Sequence, residues 1–132
     1  MRIIGIDLGE RRIGVAAADD RTGVAIPVDT VEAGGDVIET LSQIVIDQRA
    51  DELVIGLPLS MSGAVGQQAE GVLEVIERLR EKLSITVHTW DERLTTVQAG
   101  RGGAKRGSGA SSRDAVAASI LLQAFIDRRR AS

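Results

Sequence analysis

Three short β-branched runs crowd the first thirty residues of this 132-residue chain, joined by connections too short to hold a helix. Residues 2–7 (RIIGID) and 12–18 (RIGVAAA) are separated by the turn-like Leu8-Gly9-Glu10-Arg11, and residues 22–30 (TGVAIPVDT) read as a third strand. Strands linked by so little chain must pair antiparallel. Pro27 cannot donate to a ladder, which assigns the third strand to a sheet edge. After Gly34-Gly35 the period changes: Val37, Leu41, Ile44, Val45 and Gln48 share one face of a helix. Residues 52–56 (ELVIG) form an apolar run too short for a helix, hence a buried strand. Residues 66–83 carry Ala69, Val72, Leu73, Ile76, Leu79 and Leu83 on one stripe, opposite Glu74, Glu77, Arg78 and Glu81, the pattern of an amphipathic helix. Residues 85–90 give a last strand, and residues 111–130 a last helix with Ala118, Leu121, Leu122 and Phe125 inward. The order predicts an α/β fold built on a mixed five-stranded sheet. Its first three strands run antiparallel, the first, fourth and fifth run parallel, and helices cover both faces. The length fits one domain spanning residues 1–132.

Composition then narrows the chemistry. With no cysteine, the chain has no disulfide framework, thiolate nucleophile or sulfur-based zinc site, and one histidine (His88) excludes paired-imidazole chemistry within the chain. Two aromatic residues, Trp90 and Phe125, are too few for a multi-base stacking platform. The net charge of −3 argues, on its face, against nucleic acid. Splitting the chain reverses that inference. Residues 1–92 hold 8 Lys+Arg against 17 Asp+Glu, and residues 93–132 hold 8 against 2, so a −9 body is joined to a +6 tail. Arg93, Arg101, Lys105, Arg106 and Arg113 follow one another with no carboxylate between them, and residues 99–112 (AGRGGAKRGSGASS) read as a mobile, basic, Gly-rich loop. Such a loop meets phosphates one by one, giving salt-dependent and sequence-tolerant binding, or is simply a solvated surface. No stretch of the first fourteen residues is apolar enough for a signal peptide or a membrane span, so the expectation is a cytoplasmic protein with no membrane partner.

Three carboxylates stand out, each with a structural reading beside a functional one. Asp7 closes a strand of isoleucines, where an unpaired acid is costly; it could equally be a turn-forming Asp that accepts backbone N–H groups. Asp91 and Glu92 end the last strand, and Glu92 could begin a helix and favour its positive end. Asp114 follows Ser111 by three residues, as in a capping box, yet it shares the inward stripe of Ala118, Leu121 and Phe125. In the inferred sheet, Asp7 and Glu92 lie at the carboxyl ends of parallel neighbours, where open α/β sheets place their sites, and the last helix can carry Asp114 over the same edge. Oxygen ligands without His or Cys suit Mg²⁺ or Mn²⁺, and two such ions can activate water against a phosphodiester.

At these residues the chain resembles a known family. GIDLGERRIGVAAAD (5–19), VIGLPLSMSG (54–63) with GQQAE (66–70), DERLTT (91–96) and RDAVAASILLQAFID (113–127) are similar to the YqgF family of pre-16S ribosomal RNA nucleases, also described as Holliday junction resolvases of ribonuclease H-like (RNase H-like) fold. GIDLG by itself is shared with sugar-kinase and actin-like ATPases, whose nucleotide site needs a second domain that 132 residues do not supply. DERLTT followed by Asp114 and Ala117-Ala118 is the more specific signature. The resemblance implies that Asp7, Glu92 and Asp114 are the catalytic, metal-binding acids, with Asp91 an adjacent candidate ligand. It implies that Arg11, Arg93, Thr95 and Thr96 contact phosphate or position the acids. It implies Mg²⁺- or Mn²⁺-dependent endonucleolytic cleavage of structured nucleic acid, with maturation of the 5′ end of pre-16S rRNA as the favoured role; the alternatives are four-way DNA junction resolution in recombination and repair, or a non-catalytic RNA- or ribosome-binding module that retains the fold. The small ribosomal subunit is a further partner consistent with that role, and the chain would act as a monomer or a homodimer. Two departures stand out: Ser60 and Ser62 replace the Asn and Asp that relatives tend to carry after GLPL, and residues 99–112 are unusually rich in Gly.

The remaining features read more plainly. His88 alternates with Ile85, Val87 and Thr89 as a hydrogen-bonded, partly buried sheet histidine. Trp90 reads as packing at the end of the sheet, and Arg128, Arg129 and Arg130 as a solvated helix end.

Overall fold

A computed structural model of the chain describes residues 1–95 and 110–131, with the side chains of 110–112 excepted. The elements are β1 (Arg2–Leu8), β2 (Arg12–Asp19), β3 (Ala25–Glu32), α1 (Val37–Gln48), β4 (Glu52–Leu57), α2 (Gln67–Lys82), β5 (Thr86–Asp91), a 3₁₀ turn (Glu92–Leu94) and α3 (Ala110–Ala131). The five strands form one sheet in the order β3-β2-β1-β4-β5, antiparallel across β3-β2-β1 and parallel across β1-β4-β5. The mixed sheet expected from the sequence is therefore the sheet observed.

Alternation along the strands sorts side chains between two cores. Ile4, Ile6, Ile13, Val15, Leu53, Ile55 and Val87 pack under α1 and α2. Ile3, Ala16, Ala18, Val54 and Trp90 face α3 through Ala118, Leu121, Leu122 and Ile126. Gly5 on β1 and Gly14, Ala16 and Ala18 on β2 keep the middle of that face low, so the helix lies close to the backbone: a Cβ on Gly5 would come within 2.8 Å of Leu122 Cβ.

Several boundaries moved. The third strand begins at Ala25 and runs to Glu32, because residues 20–24 form a turn in which Gly23 takes φ +71°. A register shift between Val15 and Ala16 marks a bulge where Pro27 and Asp29 face β2, so the edge strand tolerates its proline. On α1 the buried face is Ile38, Leu41, Ser42, Ile44 and Val45. Gln48 is not part of it: Arg2 donates to its carbonyl oxygen from Nε (2.5 Å) and to its Oε1 from Nη2 (2.7 Å), a cation at the negative end of the helix. On α3, Ile126 joins the buried stripe and Phe125 is only half-buried. The helix starts at Ala110, so Ser111 lies inside its first turn and residues 110–112 are helical rather than loop. The rest of the basic Gly-rich segment lies outside the described residues, and no helix among the described residues is long and apolar enough to cross a membrane.

The two faces of α1 set up a direct test. Leu41 is fully buried and Ile46 is 67% exposed. Leu41→Ala should lower the unfolding free energy in urea by about 2–5 kcal/mol, whereas Ile46→Ala should change it by about 0.5 kcal/mol or less.

Candidate active site

The sheet brings three of the carboxylates named from the sequence to one end of the α3 face. Asp7 sits one residue before the end of β1 with the parity of Ile3 and Gly5, so it points to the α3 side. Its antiparallel partner is Gly14, and its parallel neighbour strand continues from Ile55, paired with Ile6, to Gly56. Asp7 is thus flanked by two residues without side chains. One gap is filled by the backbone of the residue that carries another acid, the other by an acid side chain. A Cβ on Gly14 would overlap the backbone carbonyl of Asp114, so α3 rests its first turns directly on β2. A Cβ on Gly56 would come within 2.5 Å of Glu92 Oε2, so the Glu92 side chain folds back over β4. Asp7 and Glu92 were expected on neighbouring strands. β4 lies between β1 and β5, and the bare Gly56 is what lets Glu92 reach across it.

The electrostatics agree with that crowding. Burial, then the charge of Asp114, pushes the Asp7 carboxyl up to about 6. Burial, then Asp7 and then Asp91, pushes Glu92 up to about 7. Each acid resists ionisation because it is half out of water beside another negative charge. Among the described residues no three such groups stand close enough to enclose one ion as a complete ligand set. Asp7 is the shared member of two pairs. The donor chemistry fits a hard divalent cation: the donors are carboxylate oxygens, and their mutual repulsion is what a bound cation would relieve.

One residue the sequence reading passed over holds the third acid. Arg12 donates from Nε to Asp114 Oδ2 at 2.7 Å, while Arg11, the basic residue singled out from the sequence, is exposed in the β1–β2 turn. Strand parity could have made the choice: Arg12 has the register of Gly14, Ala16 and Ala18, which face α3, and Arg11 precedes the strand.

Asp91 is placed differently from the other three. Arg93 grips both its oxygens, Nε at 3.0 Å from each and Nη2 at 2.6 Å from Oδ2, and this holds Asp91 below the usual carboxylate range. Asp91 also accepts from the Arg93 backbone N–H at 3.0 Å and so caps the 3₁₀ turn that starts at Glu92. Arg93 in turn donates to the Met61 carbonyl oxygen (3.5 Å), linking that turn to the segment after β4. In that segment Ser60 and Ser62 hydrogen-bond each other at 3.0 Å, and Ala64 N–H donates to Ser60 Oγ. Thr95 is buried and donates from Oγ1 and from its backbone N–H to the Glu92 carbonyl oxygen, closing the turn that presents Glu92. Arg113 is exposed beside Asp114, and Thr96, Arg101, Lys105 and Arg106 lie outside the described residues.

The family model described as "RuvX: Holliday junction resolvase" matches residues 1–128. The chain belongs to that family. A relative from Caldanaerobacter subterraneus, named "Putative pre-16S rRNA nuclease", is 37% identical across the whole of both chains. Another with that name, from Protochlamydia amoebophila, is 40% identical over 97% of this chain and 94% of its own. Among solved structures, Thermus thermophilus RuvC in complex with a Holliday junction substrate is similar with a TM-score of 0.62 at 14% identity, over 98% of this chain and 96% of that one. The fowlpox virus resolvase in complex with Holliday junction DNA is similar at 0.68 and 8% identity, over 98% and 99%. At such low identities these two likenesses establish the fold alone, the RNase H-like architecture that the sequence resemblance implied.

Two outcomes follow from the geometry. The raised proton affinities of Asp7 and Glu92 mean that the folded chain binds more protons than the unfolded one between about pH 4 and 7. Stability from these groups is therefore full below about pH 4 and declines as pH rises to about 7. At pH 8, Asp7→Asn should be more stable than the wild type by about 1–2 kcal/mol, and the advantage should vanish near pH 4, as measured by urea unfolding. Gly56→Ala should displace the Glu92 carboxylate and lower its apparent pKa toward the ordinary value, which a carboxyl-carbon NMR titration reads directly.

Proposed function

We propose that this chain is a metal-dependent endonuclease whose favoured substrate is precursor 16S rRNA, cut to mature its 5′ end. The observation that carries the reading is the side-chain-free gap on either side of Asp7, filled by Glu92 over Gly56 and by α3 with Asp114 over Gly14. Nothing about folding calls for three acids at one sheet end, and the shifts of Asp7 and Glu92 are of the kind that mark functional carboxylates. Asp7, Glu92 and Asp114 would hold Mg²⁺ or Mn²⁺, as two ions. When bound, such ions supply Lewis-acid activation of water and charge neutralisation at the leaving oxygen.

The other residues have supporting roles. Arg12 orients Asp114 and shields it from Asp7, a positioning role. Thr95 and the Asp91–Arg93 pair fix the turn that presents Glu92, which gives Arg93 and Thr95 positioning roles beside any phosphate contact. Arg11 in the β1–β2 turn and Arg113 next to Asp114 in sequence, both exposed, with Thr96, Arg101, Lys105 and Arg106, would meet the phosphate backbone. The names of the relatives support the ribosomal substrate, and the description of the family model supports a four-way DNA junction as the second reading. The rest of the assignment is a single domain, monomer or homodimer, acting in the cytoplasm on structured nucleic acid and on the small ribosomal subunit that carries it.

A side-by-side assay tests this. Precursor rRNA and a four-way DNA junction are incubated with wild type, Asp7→Asn, Glu92→Gln and Asp114→Asn, with Mg²⁺ and with Mn²⁺, and cut sites are mapped. Each variant should cut about a hundredfold more slowly or worse. Saturating Mg²⁺ should also raise the melting temperature of the wild type at pH 8 and leave Asp7→Asn unmoved, a readout independent of cleavage. Cleavage unchanged in all three variants would overturn the reading, as would binding of RNA without cleavage under either metal.

A further inference from the structure

On the same face as the carboxylates, further back along β5, lies a second concavity. It measures about 370 Å³ and is lined by His88, Thr89, Trp90, Phe125, Arg128 and Arg129. Beneath it Glu52, only 7% exposed, accepts from both Nη atoms of Arg129 (3.0–3.3 Å) and lies 2.7 Å from His88 Nε2. That double grip holds the Arg129 guanidinium over the Phe125 ring, its Cζ 4.7 Å from the ring centroid. His88 packs against the same ring at 5.0 Å, and Trp90 meets it edge-on at 6.3 Å. Trp90 is 8% exposed, and its indole Nε1 finds no hydrogen-bond partner among the described residues. A buried N–H without an acceptor is costly, so it asks for a ligand that brings one.

We propose that this cavity seats one unpaired nucleotide of the bound nucleic acid, its base on the Arg129–Phe125 platform and its phosphate at Arg128. The polar lining consists mainly of donors and includes two guanidinium groups, Arg128 and Arg129, of which Arg129 is paired with the buried Glu52. A ligand that combines acceptors, negative charge and a flat face matches it, and a nucleotide has all three. Bases stack on aromatic rings and on guanidinium planes alike. The volume is that of a small-ligand pocket, far short of a duplex. Position supports continuity with the carboxylates: His88 and Trp90 alternate on the α3 face of β5, and Glu92 opens the 3₁₀ turn two residues after Trp90, about 7 Å further along the chain. A strand passing Glu92 reaches the cavity within a few nucleotides. The proposal rests on the nuclease reading only for the class of polymer.

Trp90 is the sole tryptophan and the chain has no tyrosine, so its emission reports on the cavity. The experiment titrates the full chain, in EDTA and at fixed salt, with a ten-nucleotide oligouridylate, a ten-base-pair RNA duplex and a ten-residue polyglutamate peptide. Working without metal keeps it independent of cleavage, so a chain that never cuts still answers. The oligouridylate should change Trp90 emission saturably, with the duplex at least tenfold weaker and the peptide inactive. Arg128→Gln and Phe125→Leu should weaken binding about five- to a hundredfold. Arg78→Gln, an exposed cation on α2, should not. Arg128 is exposed, so its replacement keeps the test sound even if Phe125→Leu loses its fold. No emission change, equal affinity in Arg128→Gln, an equal response to duplex, or an equal response to polyglutamate would each overturn the proposal.

Discussion

The close seating of α3 on the sheet is the contact from which the rest of the site follows. Gly5 and Gly14 leave no side chain between that helix and β1-β2, and Gly56 leaves none between Glu92 and β4. The same absence does two jobs. It lets a helix backbone approach within van der Waals distance of a strand, and it opens a space at the sheet end into which carboxylates can turn. Further along, Gln123 ties α3 to the β2–β3 turn by accepting from Ala25 N–H and donating to the Gly23 carbonyl oxygen, and Arg130 donates to the Asp20 carbonyl oxygen. With α3 held at that end too, Asp114 is set by the whole length of the helix rather than by its own turn.

The arrangement has an electrostatic cost. Packing and hydrogen bonding would be better served by neutral groups where Asp7 and Glu92 sit, since burial and like charge oppose their ionisation. Asp114 is paired with Arg12. A site that gathers negative charge at such a cost regains the forgone stability when a cation binds. Asp91 shows the contrast. Two residues from Arg93 and fully chelated by it, it is stabilised as an anion and spent on shaping the turn.

Much of the fold was legible because it rests on periodicity. The short links between the first three runs required antiparallel pairing, and the switch to a helical period after Gly35 required crossovers. Period alone misjudged element edges where a local hydrogen bond competed: Gln48 has the spacing of an inward residue, but its carbonyl serves Arg2. Arg11 and Arg12 both lie in the family motif, which does not separate them; the parity of a strand that begins at Arg12 does, and it turns Arg12 to Asp114.

By itself, then, the sequence determined which chemistry was available: oxygen ligands in place of sulfur or paired imidazole, a −9 body with a +6 tail, and acids placed at strand ends. Only the tertiary structure decided how they meet. It laid Glu92 over the bare Gly56 of β4, chose Arg12 as the partner of Asp114, and turned Asp91 to Arg93. The reason is that spacing along a chain specifies which face a side chain takes, whereas distance across a sheet depends on strand order and on the side chains that are missing between. Glycines read as punctuation in the sequence; in the fold they are the space the site occupies.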